Sequence, residues 1–358
     1  MTGVEMSGID MAIQGGIWAL EILAIAVPIA LSVAYITYCE RRVIGFMQAR
    51  KGCNRVGPAG LLQPLADGLK LVLKETIIPA QANKLLFIGA PLLSLMPALV
   101  AFAVVPFGET SLFGLWETPH IMAISNLNVG LLYVMAIGSL SVYGVLMAGW
   151  ASNSKYPIMG SIRSTCQMIS YEISMGFGLV TVMMLAGSLN LADIVHAQEG
   201  GLLHWYMIPL FPMLLVFFIS GCAETGRTPF DLTETEELVA GYYTEYSGMW
   251  FATFSLAEYG AMILISLLTS ILFLGGWYAP IPALDVIPGI VWLLGKTAFL
   301  IFVFIWFRAT FPRYRYDQMM RLGWKIFLPW TFGWIFVLGV FIYTPGLDNI
   351  IDFWLAWR

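Results

Sequence analysis

Residues 222–249 read CAETGRTPFDLTETEELVAGYYTEYSGM, and the fold turns on where this stretch is placed. It carries Glu224, Asp231, Glu234, Glu236, Glu237 and Glu245 against a single basic residue, Arg227, and lies between two apolar runs, Trp205–Gly221 and Phe251–Leu274. Such runs, of about 17 to 25 residues, are what a bilayer crossing requires. The acids therefore belong to a connection at a membrane face. Carboxylates in that position are costly to bury and are kept for ion or proton movement, substrate binding or contact with a partner. On a helix, Glu234, Glu237, Gly241 and Glu245 follow spacings of three, four and four, which puts three carboxylates on one face. Carboxylates crowded in this way cannot all ionise cheaply. A solvated acidic loop is the simpler reading, but Pro229, Phe230, Tyr242, Tyr243 and Tyr246 argue for packing.

Working outward, the composition sets the class. With 59% hydrophobic residues, 11% charged, 13 Trp and 23 Phe in 358 residues, too few polar side chains exist to coat a water-soluble globule. Eight apolar stretches read as spans: Gly16–Tyr38, Leu85–Pro106, Val129–Gly149, Met168–Ala186, Trp205–Gly221, Phe251–Leu274, Ile287–Trp306 and Ile326–Tyr343. The short alternating segments of a membrane β-barrel are missing. The expected fold is an all-α polytopic membrane protein of about eight transmembrane helices, one integral membrane domain over residues 1–358, plus an amphipathic interfacial helix. Its inner loops are expected at about 39–84, 150–167, 222–250 and 307–325.

The charges orient the chain. Of the 18 Lys and Arg, 16 lie in or beside alternate connections: Arg41 to Lys84, Lys155 and Arg163, Arg227, and Arg308 to Lys325. The opposite connections, around Glu109 and Glu117, Asp193 and Glu199, and Asp285, carry none. By the positive-inside rule the motif-rich loops face the cytoplasm or matrix and both termini face outward. The acidic start, Glu5 and Asp10, is not that of a cleavable signal peptide.

Four cysteines, 39, 53, 166 and 222, form no C-x-x-C pair, which argues against disulfides and metal or iron-sulfur ligation. The histidines, 120, 196 and 204, are spaced too loosely for zinc. With no Gly-rich phosphate loop, P-loop or nucleophile elbow, the chain is expected to hold no nucleotide, flavin or covalent cofactor. No nucleic-acid partner is expected either.

The first inner loop begins at Glu40 and holds Arg41, Arg42, Arg50, Lys51 and Arg55, punctuated by Gly52, Gly57, Pro58 and Gly60. Lipid anchoring accounts for the charges; glycine and proline in series demand in addition a particular backbone path. Leu61 to Leu73 then has apolar residues at 61, 62, 65, 69, 72 and 73, the pattern of an interfacial helix. Glu172, Glu258 and Lys296 fall within spans, where an ionisable group is either paired across helices or functional. The last inner loop surrounds Pro312, Tyr314 and Tyr316 with Arg308, Arg313, Arg315, Asp317, Arg321 and Lys325, suited to clamping lipid, the acidic stretch or a partner subunit.

Several of these stretches carry a family resemblance. ERRVIGFMQARKGCNRVGPAGLLQPLADGLKLVLKE (40–75), GWASNSKYPIMGSIRSTCQMISYE (149–172), AETGRTPFDL (223–232), ELVAGYYTEYSGM (237–249), AEYGAMI (257–263) and RATFPRYRYDQMMRLGWKIFLP (308–329) together resemble the H subunit of NADH:quinone oxidoreductase, respiratory complex I. Two departures stand out. Cys53 occupies the place where the family usually has proline, and TETEELV (233–239) is one residue shorter than the usual run, leaving Glu236 and Glu237 both open as the third acidic position.

The resemblance implies a subunit at the heel of the membrane arm, forming the membrane part of the quinone tunnel. Its partners would be the peripheral iron-sulfur and quinone-site subunits, other membrane-arm subunits and the bilayer. Ubiquinone or menaquinone would be the substrate, and iron-sulfur clusters and FMN would reside in partner subunits. It further implies Glu172, Glu224, Glu234, Glu236, Glu237, Glu245 and Glu258 as acids coupling quinone reduction to proton translocation. Arg41, Gln48, Arg50, Phe230, Asp231 and Arg308 would form the tunnel wall and its gating loops. The residues alone also admit the membrane subunit of a nickel-iron hydrogenase, which PRYRYDQ disfavours. A stand-alone ion transporter is a further alternative, for which the matched pair of broken spans is missing.

Overall fold

The computed structural model describes residues 8–109, 122–231, 241–284, 286–344 and 354–355. All regular structure among them is helical. The helices are α1 (Gly8–Met47), α2 (Gln63–Leu73), α3 (Lys84–Val100), α4 (Gly130–Ala151), α5 (Lys155–Ala186), a short α6 (Leu191–His196), α7 (Phe211–Glu224), α8 (Met249–Phe273), α9 (Gly289–Thr310), α10 (Tyr316–Leu322) and α11 (Leu328–Tyr343). A π-helical turn, Gly323–Phe327, joins α10 to α11. Among the described residues, seven helical segments of 21 to 32 residues are long and apolar enough to cross a membrane.

The eighth expected span is present but truncated. α7 has 14 residues, which rise about 21 Å, short of the roughly 30 Å hydrocarbon thickness. The first part of the expected Trp205–Gly221 span is turn rather than helix. Irregular backbone at that depth survives only when protein satisfies its polar groups. Here the Met207 amide donates to the Phe273 carbonyl (2.8 Å), and the fully buried Gln198 accepts from the amides of Tyr206 (3.3 Å) and Gly275 (3.0 Å). The same Gln198 amide group donates to the carbonyls of Ile194 (3.1 Å) and Ile271 (3.0 Å), so one side chain ties α6, the turn before α7 and the end of α8 together at one end of the bundle.

Other helices run beyond their apolar cores. α5 starts at Lys155 rather than near Met168, so the expected connection Tyr156–Arg163 is helical. Gly149 of α4 explains the close fit there, since a Cβ on it would lie 2.1 Å from Ser161 Oγ and 2.6 Å from the Pro157 carbonyl.

α8 is the most enclosed of the spanning helices and packs against α1, α3, α7 and α9. Its buried hydroxyls are matched within the helix: Ser266 and Thr269 donate to the carbonyls of Met262 (2.8 Å) and Ile265 (2.7 Å). Lys296, for which an interhelical ion pair is one expectation, instead donates to the carbonyls of Leu274 (2.6 Å), Gly276 (2.8 Å) and Tyr278 (2.8 Å) and lies 4.1 Å from the Trp205 ring centroid. It anchors the loop after α8, and its charge is held by carbonyl dipoles and a π face.

The interfacial helix is α2, which leaves Leu65, Leu69, Val72 and Leu73 exposed. The glycines before it have steric reasons. A Cβ on Gly52 would come within 2.9 Å of the Arg41 carbonyl, and Gly60, at φ +83°, would put one 2.3 Å from the Cys53 carbonyl.

Candidate functional site

Three polar groups converge at and below the end of the bundle where α7 ends and α8 begins. The first surrounds a cavity of about 80 Å³ walled by α3, α4, α5, α7 and α8. Glu224, the last residue of α7, and Glu258, on the N-terminal half of α8, both line it. Glu258 accepts a hydrogen bond from the Tyr242 hydroxyl (3.0 Å), whose ring is held edge-on to Phe254 (5.2 Å). Glu224 Oε2 is buried without a hydrogen-bond partner. Glu172, on α5, receives the Ser139 hydroxyl and lies within electrostatic reach of Glu224. The three acids thus come from three helices: Glu224 and Glu258 line one interhelical space, and Glu172 acts on Glu224 from beside it.

The second group centres on Glu40, near the C-terminal end of α1 and only 6% exposed. It is ion-paired to Arg308 of α9 and lies 3.9 Å from Arg227, in the loop after α7. The Tyr259 hydroxyl of α8 donates to its other oxygen (2.6 Å), and the Arg227 guanidinium lies 3.9 Å from the centroid of the Tyr259 ring. One carboxylate therefore joins three helices and a loop. A buried charge is tolerated in a low-dielectric interior when it is paired in this way.

The third group holds the loop after α7 against the end of α9. Phe230 stacks on Tyr314 (centroids 5.6 Å, 15° between planes). The buried Asp231 pairs with Arg313 (3.4 Å), and the Tyr314 amide donates to the Pro229 carbonyl (3.0 Å). From α5, the buried Gln167 donates to the carbonyls of Ala223 (2.8 Å) and Phe230 (2.9 Å).

The residues expected to act together divide as follows. Glu172, Glu224 and Glu258 converge. Glu245 is half-buried in a turn, and Glu234, Glu236 and Glu237 lie outside the described residues. The helix considered for Glu234–Glu245 does not extend through its C-terminal part, because residues 242–245 are turn. The reason is aromatic docking: Tyr246 stacks on Phe87 of α3 (4.0 Å, 7°) and donates to the Phe87 carbonyl (3.1 Å). Burial pushes this phenol well above the ordinary tyrosine range.

Of the expected tunnel residues, Arg41 pairs with Asp67 of α2 (2.6 Å), and Arg50 donates to Gln48 (2.7 Å) in the exposed turn after α1. Phe230 and Asp231 belong to the third group and Arg308 to the second. The sequence alone gives no site role to Arg227, Tyr259, Ser139 or Tyr242, and marks Glu40 only as the start of a basic run. A signal for Glu40 and Tyr259 is nevertheless present: an acid directly before two arginines at a span end, and a tyrosine beside the intramembrane Glu258.

This geometry defines a class, a helical multi-pass membrane protein with partly buried carboxylates gathered from several helices beside an end of the bundle rich in arginine and aromatic residues. The comparisons with known proteins narrow it. The family model for NADH dehydrogenase matches residues 20–339. The NADH-quinone oxidoreductase H subunit of Vesicomyosocius okutanii subsp. Calyptogena okutanii (strain HA) is 54% identical over 329 residues, covering 90% of this chain and 89% of the relative. The chain belongs to this family, the H-subunit type of NADH dehydrogenase membrane proteins.

Proposed function

We propose that this chain is the membrane subunit of a proton-pumping NADH:quinone oxidoreductase that carries the membrane part of the quinone tunnel and the acidic path coupling quinone reduction to proton translocation. The observation that carries the reading is the cavity shared by Glu224 and Glu258, with Glu172 alongside. Carboxylates on separate helices around one interhelical space suit proton relay and are rarely kept for packing. The chain would act as a single membrane domain, with both termini outward and the arginine-rich loops inward.

Those loops would dock the peripheral iron-sulfur and quinone-site subunits, with the iron-sulfur clusters and FMN residing there and no redox centre in this chain. Arg41, Gln48, Arg50, Phe230, Asp231 and Arg308 would line the tunnel and its gating loops, taking a lipid-soluble ubiquinone or menaquinone from the bilayer. The exposed apolar side chains of α2 support a lipid-facing entrance, and the stacked Phe230–Tyr314 pair supports an aromatic wall. The family membership favours this reading over a hydrogenase subunit or a stand-alone transporter.

The Glu224→Gln variant tests the acid path. In membrane vesicles holding the whole complex it is expected to abolish quinone-dependent proton uptake while NADH oxidation by an artificial acceptor continues. Unchanged pumping would overturn the assignment.

A further inference from the structure

A cluster of polar and aromatic side chains outside the acid path joins the opposite end of the bundle. Glu109, after α3, accepts from Trp277 Nε1 (2.9 Å) and from the Tyr278 hydroxyl (2.8 Å), both in the loop after α8. His196, the last residue of α6, places Nδ1 3.0 Å from the same hydroxyl and 3.6 Å from the carboxylate. Its ring stands edge-on to Trp277 (centroids 5.7 Å, 77° between planes). The loop carrying Trp277 and Tyr278 is tied to α9 in turn, because Lys296 donates to the Tyr278 carbonyl (2.8 Å). The ends of α3, α6 and α8 therefore meet on a few side chains, one of them a histidine, the residue type whose charge changes between about pH 5 and 8.

The single proton of the Tyr278 hydroxyl makes the arrangement sensitive to that charge. It goes to Glu109, so His196 joins only by donating from Nδ1 to the phenol oxygen. A neutral ring that carries its hydrogen on Nε2 instead turns a lone pair toward the hydroxyl and competes with Glu109 for the proton. A protonated ring ends the competition: Nδ1 donates to Tyr278, Tyr278 donates to Glu109, and the charge of the ring lies beside the carboxylate. Burial, and next the bond to Glu109, hold the Tyr278 phenol above the ordinary tyrosine range, so the middle member keeps its proton.

The His196 and Glu109 side chains are 44% and 47% exposed, and the proton comes straight from solvent. Among the described residues, the other titratable groups around them are Asp193, one turn back on α6 and engaged by Ser188 (2.9 Å), Glu199, whose charge acts on Tyr278, and His204, which lies over Gly200. The Lys296 ammonium is taken up by three carbonyls.

We propose that His196, Tyr278 and Glu109 form a pH-sensitive latch, which holds the loop after α8 against the ends of α3 and α6 more tightly when the solution around it is acid. A proton taken up by His196 adds one donor and one charge to the cluster, and its loss removes both. With the termini outward, the latch faces the side to which protons are delivered and tightens as that side fills; this placement, though not the latch itself, rests on the reading above.

The test is hydrogen exchange of the backbone amides of Gly275, Gly276 and Tyr278 in the gently extracted complex, at about pH 5.5 and about pH 8, each rate divided by that of an unstructured peptide of the same sequence. These amides are bonded to Gln198, Ser270 and Gly275 in the closed loop and exchange when it opens. Because the pair is exposed, acid adds only what a surface ion pair gives, and protection is expected to rise about two- to fivefold. His196→Gln and Glu109→Gln each keep a hydrogen-bonding amide and are expected to remove this dependence on pH, whatever they do to the rate itself; a merely structural role would leave the dependence in place. Equal protection at both pH values in the unaltered complex overturns the proposal. So does a pH dependence that survives in His196→Gln, which would assign it to another group such as His204. Extraction exposes both faces, so these outcomes hold whichever way the chain is oriented, and a working latch beside normal pumping in Glu224→Gln removes the acid path alone.

Discussion

Replacing Glu40 by Gln keeps the shape of the side chain and removes the charge that holds Arg308 and Arg227. Breaking a buried ion pair by neutralising one partner costs about 3–5 kcal/mol, because the other charge stays behind. Here Arg227 is 5% exposed and stays enclosed. The Arg308 side chain is 28% exposed and is partly screened by solvent. Arg227 also keeps its contact with the Tyr259 ring, so the expected loss is at the lower end, about 3 kcal/mol, or roughly a hundredfold in a local folding equilibrium. The assay is the thermal stability and abundance of the whole complex, extracted gently and resolved on native gels. Glu40→Gln is expected to lower both. Glu40→Gln combined with Arg308→Gln is expected to recover part of the loss, since the double change leaves one fewer uncompensated cation. A Glu40→Gln complex as stable as the unaltered one would refute the reasoning.

Three further outcomes are expected. Gln198→Leu leaves the Gly275 and Tyr206 amides and the Ile271 carbonyl without their partner, at about 1–3 kcal/mol for each buried group; proteolysis of the loop after α8 in the intact complex should accelerate. Tyr246→Phe keeps the stack on Phe87 and loses the hydrogen bond to its carbonyl, about 1 kcal/mol. Because burial raises the Tyr246 pKa above its ordinary value of 10.0, the stability it contributes is complete below that pH and is lost as pH rises above it. The Phe variant should show a shallower alkaline fall in thermal stability. Gly149→Ala forces a methyl to 2.1 Å from Ser161 Oγ and 2.6 Å from the Pro157 carbonyl, an overpacking cost of about 1–3 kcal/mol; reduced abundance of the assembled complex is the readout.

The spans are legible because hydrophobic runs and alternate basic loops are properties of the chain itself. Where helices stop is less so: α5 extends to Lys155 through SIRSTCQ, whose small and polar residues fit against Gly149, a fact of the neighbouring helix rather than of the segment. α7 falls short for the mirror-image reason, since Trp205 to Leu210 is apolar enough for a span yet is held irregular by Gln198 and by the end of α8. Within the site, Glu224 and Glu258 announce themselves as acids in apolar surroundings. Tyr259 and Arg227 do not, because their meaning lies in a carboxylate more than 180 positions away in sequence. Lys296 is visible as an intramembrane charge, but its partners are backbone carbonyls, which no sequence pattern marks.

The shortness of α7 has a consequence for how the chain enters the bilayer. A helix of 14 residues preceded by irregular backbone exposes unmatched amides to lipid as soon as it leaves the insertion machinery. The backbone before its N-terminus is completed by the Phe273 carbonyl, and Gln198 finds an acceptor at the same place, on Ile271. Both belong to the far end of α8. The half-span therefore has no stable resting place of its own during synthesis and waits for α8, so that the two settle together. Truncation of the nascent chain before Phe273 should leave α7 unanchored and open to membrane proteases.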